Sequence, residues 1–87
     1  MTAEALLARV QHVVTQIAGD ARTPSDAGPD TPLCDNGFWL DSVELVDVIV
    51  ACEEEFAVTF EGEADLTERA LSTVRSLAEL IDSKGPQ

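Results

Sequence analysis

Apolar residues recur at Leu6, Val10, Val13, Val14 and Ile17, the three- and four-residue spacing that turns one side of a helix toward a core. The spacing predicts a first helix from about Thr2 to Ala18, ended by Gly19. A second pattern runs from Ser42 to Phe56. At about 100° per residue, Leu45, Ile49, Cys52 and Phe56 share one arc, while Glu44, Asp47, Glu54 and Glu55 gather on the other side. Asp41 and Glu44 also have the spacing of an N-terminal capping box, with aspartate in place of the usual serine or threonine.

Beyond Val58-Thr59-Phe60 and Gly62, the run Asp65-Leu66-Thr67-Glu68 predicts the capped start of a short third helix. Ser72 is expected to cap a fourth helix running to about Asp82, with residues 83–87 as a frayed tail. Between the first two helices, residues 20–40 form a long loop broken by Pro24, Gly28, Pro29 and Pro32. Leu33, Phe38 and Trp39 give that loop apolar anchors, so it is expected to lie against the helices. Asn36-Gly37 lacks the alternating strands of a hairpin and reads as a turn. Asp35-Asn36-Gly37 fails as a calcium loop, because Pro32 and Cys34 fall on the earlier ligand positions and Val43 on the closing glutamate. The fold expected is all-α: one domain over residues 1–87, a small four-helix bundle of three main helices and one short one, with a long loop between the first two.

Composition changes the picture mainly through charge. The 87 residues carry 17 acidic and 5 basic side chains, a formal net charge of -12, and none of the basic ones lies between Asp41 and Glu68. Nucleic acid and anionic membrane are repelled by such a chain, and a basic protein surface is its complement. Crowded like charge also opposes compaction, so added salt or magnesium is expected to raise the melting temperature; a melt insensitive to both contradicts this. Cys34 and Cys52 lack metal-ligand spacing, and no secretory signal precedes them. A reducing cytoplasm is the expected compartment, with Cys52 a small core residue and no metal site. No apolar run is long enough to span a membrane.

Ser42 stands directly behind the cap Asp41, where a helix start exposes its hydroxyl. Serine catalysis requires a base and a group that orients it, yet the only histidine is His12, near the other end, and the Gly-x-Ser-x-Gly elbow is absent. His12 is expected at the surface of the first helix. A hydroxyl without its own base is suited to modification by another enzyme, and the unpaired amides and positive dipole end of a helix favour a phosphate there.

These residues resemble the acyl carrier proteins, which bear phosphopantetheine on the serine of an Asp-Ser-Leu-like motif at the start of their second helix. Ser42-Val43-Glu44-Leu45-Val46 leads into Ala51-Cys52-Glu53-Glu54-Glu55-Phe56, similar to the family's Glu-Glu-x-Phe ending, and Leu71 to Ile81 is similar to its last helix. Val43 replaces the usual leucine, Trp39 stands where glycine is common, and the first loop is longer than in compact fatty-acid carriers.

The resemblance implies that Ser42 takes 4'-phosphopantetheine from coenzyme A through a phosphopantetheinyl transferase, and that the chain is a carrier and not an enzyme. It implies docking of basic patches on a ketosynthase, acyltransferase or other synthase enzyme by Asp41, Glu44, Asp47, Glu53 and Glu54. Val43 and Val50 match apolar partner contacts, with core filling an equal alternative. Phe60, Val46 and Leu71 are candidates to line or guard an interhelical pocket for the acyl chain, though apolar residues on bundle helices are usually ordinary core. A discrete, monomeric carrier of acyl thioesters for fatty-acid or, favoured by the loop, specialised polyketide or secondary-metabolite synthesis is the resulting expectation. The alternatives are an aminoacyl or peptidyl carrier and an acidic protein-binding module with no prosthetic group.

Overall fold

The computed structural model describes residues 3–84; the expected helix start at Thr2 and residues 85–87 of the expected tail lie outside them, whereas Ser83 and Lys84, expected in that tail, are the end and the cap of the last helix. Helix α1 spans Ala3–Ala18, α2 spans Ser42–Phe56, α3 is a single turn at Gly62–Asp65, and α4 spans Val74–Ser83. The described residues contain no strand, only an isolated bridge between Pro32 and Thr73. The all-α class is as the hydrophobic spacing predicts.

Helices of 15 or 16 residues are marginal alone in water, so packing of their apolar sides holds them. Leu6, Val10, Val13, Val14 and Ala18 of α1 meet Val48, Cys52 and Phe56 of α2 and Val74, Leu77, Ala78 and Ile81 of α4 in one core. Each fully buried valine, leucine or phenylalanine there contributes about 1.5–3 kcal/mol. The inward arc of α2 centres nearer Val48 than expected: Val48 is fully buried, whereas Ile49 and Leu45 are only half-buried.

The long loop joins this core through Leu33, Phe38 and Leu40, all buried. Trp39, expected to be an anchor, points outward instead. Gly19 ends α1 at φ 79°, a left-handed conformation that lets its N–H donate to the Thr15 carbonyl at 2.8 Å.

Two helix starts differ from expectation. The cap of α4 is Thr73 and not Ser72: the Thr73 hydroxyl accepts from the Ser76 N–H at 3.1 Å, and the Ser76 hydroxyl accepts from the Thr73 N–H at 2.9 Å. Ser72 is drawn out of that role because its carbonyl accepts the Leu33 N–H at 3.0 Å, pairing the loop with the entry to α4. The short third helix does not begin at Asp65. Asp65 instead closes the turn Gly62–Asp65, its carboxylate accepting the Glu61 N–H at 2.7 Å and an ion pair from Lys84. Thr67 then caps only an isolated turn, accepting the Ala70 N–H at 3.1 Å.

Four of the five basic side chains tie remote segments together: Arg9 to Glu55, Arg22 to Glu44, Arg75 to Asp30 and Lys84 to Asp65. The hydrogen bond and charge of Arg75 hold the Asp30 carboxyl below the ordinary aspartate value of 3.8. The hydrogen bonds from Lys84 and from the Glu61 amide do the same for Asp65. A carboxyl whose pKa falls on folding contributes stability that is complete above the unfolded-state value and lost as pH falls through the folded-state value. Melting temperature is therefore expected to fall as pH drops from about 4 to about 2, and to fall less in an Asp30→Asn, Asp65→Asn double variant. Equal acid sensitivity of parent and variant contradicts the assignment.

Candidate functional site around Ser42

Asp41 adopts an extended conformation (φ -85°, ψ 179°), and its carboxylate accepts the Glu44 N–H at 2.8 Å. The Glu44 carboxylate accepts the Asp41 N–H at 3.3 Å, completing the expected capping box. Ser42 is thus the first residue of α2, and it is exposed. Its position needs no further support from its own side chain.

Arg22 fixes this helix start to the rest of the molecule. Its guanidinium donates to both oxygens of Glu44, its Nε donates to the Ala18 carbonyl at 3.2 Å and its Nη1 to the Trp39 carbonyl at 3.5 Å. The end of α1, the residue before Leu40 and the first turn of α2 are therefore held by one side chain. Sequence reasoning missed Arg22. Its only signal was a cation just past the C-terminal end of α1, where the dipole favours one.

Trp39 has φ 56°, the left-handed region that costs a residue with a Cβ about 1–2 kcal/mol and that glycine enters freely. This gives a physical reason for glycine being common at that position in the carriers the sequence resembles. The conformation lets Phe38 and Leu40 both enter the core, and it sends Trp39 out with 55% of its surface exposed.

The outward side of α2 also differs from expectation. Val43, Val46 and Val50, 46–69% exposed, fall within about 60° of one another and roughly opposite Val48 and Cys52. They form a valine ridge with the exposed Asp47 and Glu54 along one edge. For Val43 and Val50 the alternative of core filling is excluded, and Val46 is exposed beside them. The other acids divide. Glu44 is half-buried in the Arg22 ion pair, and Glu53 is half-buried with its carboxylate accepting the Phe60 N–H at 2.9 Å. Both are engaged within the fold, whereas Asp41, Asp47 and Glu54 are exposed.

Phe60 is buried. Leu71 does line an open groove of about 530 Å³ beside α2, with Pro32, Cys34, Leu45, Leu66 and Ser72. His12 is exposed, as expected. Both cysteines are free, and neither thiol is poised as a nucleophile: burial, with the Glu55 charge added, pushes Cys52 up to about 12, and burial with Asp35 raises Cys34. Among the described residues no group of three or more His, Cys, Asp or Glu could hold a metal ion, and no helix is long and apolar enough to cross a membrane.

Ser42 thus presents an exposed hydroxyl on the first turn of a helix whose start is fixed by the capping box and by Arg22. The surroundings suit a phosphodiester: the site is open, the amides of the first turn and the helix dipole favour an anion, and Arg22 offsets the Glu44 charge next to it. The family model for the phosphopantetheine attachment site matches residues 9–81, and the chain belongs to that family. It is a carrier module and not an enzyme, bearing covalent 4'-phosphopantetheine, and it is served by a phosphopantetheinyl transferase and by synthase enzymes. The comparisons with curated proteins and with solved structures find no match.

Proposed function

We propose that Ser42 is the attachment residue and that the chain is an acyl carrier protein. The observation that supports this most strongly is the exposed Ser42 hydroxyl at the start of a helix whose first turn is fixed by Asp41, Glu44 and Arg22. Ser42 Oγ forms the new bond to phosphorus as the pyrophosphate link to the nucleotide half of coenzyme A breaks, and its proton goes to a base of the transferase. Once bound, the arm supplies a terminal thiol that holds intermediates as thioesters.

The residues of the chain then serve to present that arm. A tether raises the local concentration of its cargo at whichever enzyme has docked, so docking itself need only be weak and reversible. Asp41, Asp47 and Glu54 supply charge for basic patches on a ketosynthase or acyltransferase, and Val43 and Val50 supply apolar contact. The net charge of -12 favours an acyl over an aminoacyl cargo, and the long proline-containing first loop favours specialised polyketide or secondary-metabolite synthesis, by a monomer in the cytoplasm.

The test is intact mass. Apo-protein incubated with coenzyme A and a broad-specificity phosphopantetheinyl transferase should gain one phosphopantetheine, and peptide mapping should put it on Ser42. A gain mapped to another residue, or none, overturns the proposal. Intact mass of material from the native host, where a trapped thioester names the acyl group, tests the pathway.

A further inference from the structure

The apolar side chain nearest Ser42 in sequence on its N-terminal side that remains exposed is the chain's single tryptophan. Its outward direction is imposed by the backbone. Phe38 donates its N–H to the Pro32 carbonyl at 3.0 Å, Trp39 to Cys34 at 2.9 Å and Leu40 to Leu33 at 3.1 Å, so three successive residues are tied to the loop that precedes them. With Phe38 and Leu40 buried on either side and φ positive between them, the ring cannot turn into the core without undoing those bonds. A large aromatic ring is thus kept in solvent, in a conformation that glycine would adopt without strain, three residues before the attachment serine. It forms one wall of an open groove with Ala21, Arg22, Thr23 and Asn36.

We propose that Trp39 is a docking and specificity residue for the phosphopantetheinyl transferase, resting on the reading that Ser42 is the attachment site. An enzyme that forms a bond to Ser42 Oγ must bring its reacting centre onto that atom and cover the residues within a turn of it. Enzymes that act on the thiol react at the far end of the arm, so their docking on α2 need not reach back to residue 39. Trp39 and Val43 fall inside the first footprint, with Asp41 and Asp47 beside them, so the surface that fits is an apolar recess rimmed by lysine or arginine. A rigid tryptophan surrounded by smaller contacts is the kind of side chain that carries much of an interface's affinity. A transferase without a recess for the ring meets it as an obstruction, which makes the same residue selective.

Initial rates of mass gain with coenzyme A and a broad-specificity transferase are compared for the parent, Trp39→Phe, Trp39→Asn and Trp39→Gly. Asparagine and glycine both tolerate the left-handed backbone, so these variants remove the ring without disturbing the loop, as circular dichroism and melting will show. The expected result is a rise in KM of about tenfold or more for Trp39→Asn and Trp39→Gly with kcat within about twofold, and retention of most affinity in Trp39→Phe. Unchanged KM in the folded variants overturns the inference, as does a fall in kcat at constant KM, which makes Trp39 a support for the loop and not a contact. Failure of the parent to take the group at Ser42 overturns the underlying site assignment instead.

Discussion

Ser42→Ala is expected to keep the helical spectrum and melting behaviour of the parent and to gain no mass at all from coenzyme A and a transferase. The separation of effects follows from position. Ser42 is exposed on the first turn, while the cap that starts α2 is made by Asp41 and Glu44 and clamped by Arg22, so deleting one hydroxyl removes no bond that orders the helix. A surface change of this kind alters stability by less than about 0.5 kcal/mol. Reactivity, by contrast, is lost completely, because the methyl of alanine offers no nucleophilic oxygen. Intact mass reads the outcome without ambiguity, since Ser72 and Ser83 are also exposed and provide an internal comparison. If the variant still gains the group, peptide mapping will put it on one of those or another hydroxyl, and Ser42 is then not the anchor.

Gly37→Ala is expected to produce the largest loss of stability of any single methyl addition to the described glycines. A Cβ at position 37 would lie 1.9 Å from the Pro32 carbonyl oxygen and 2.7 Å from its carbon, so backbone must move, not a flexible side chain. The Pro32 oxygen is also the acceptor for Phe38, and the adjoining Leu33 amide is what links the loop to Ser72. Displacing it therefore loosens Phe38 in the core and the entry to α4 together. Overpacking of this sort destabilises by about 1–3 kcal/mol, and the attached hydrogen bonds place this case at the upper end. In a domain of this size that corresponds to a melting temperature lower by about 10–20 °C. A Gly28→Ala control, where nothing lies within 4 Å, should differ little from the parent. A Gly37→Ala melt that stays within a few degrees of the parent contradicts the close approach.

Much of the fold was legible in local pattern. The bounds of α2 follow from the Asp41 and Glu44 spacing and from Phe56, because a capping box and an amphipathic run are both written within a few residues of the feature they specify. Signals were misleading where a distant partner decides the outcome. Ser72 reads as a cap, yet the Leu33 amide takes its carbonyl; Asp65 reads as a helix start, yet Glu61 and Lys84 turn it into a helix end.

The site shows the same division. Ser42 and its cap were visible, but the clamp by Arg22 is a contact across 22 positions and leaves no trace in spacing. Val43, Val46 and Val50 read as core or as undecided because valine is a common interior residue, and only the placement of Val48 against α1 shows which side of the helix faces out. The direction of Trp39 depends on a single dihedral angle fixed by its two buried neighbours, which no composition or periodicity reports.

With Arg9, Arg22, Arg75 and Lys84 each bound to a carboxylate of its own chain, an approaching molecule meets a field that is negative almost everywhere. Two copies repel each other well before the bare ring and the valine ridge can meet, at least while the screening length stays near 10 Å. An oppositely charged enzyme is drawn in over the same range. Apolar surface can thus stay uncovered while like charge holds copies apart, and charge sorts strangers from kin before shape is tested.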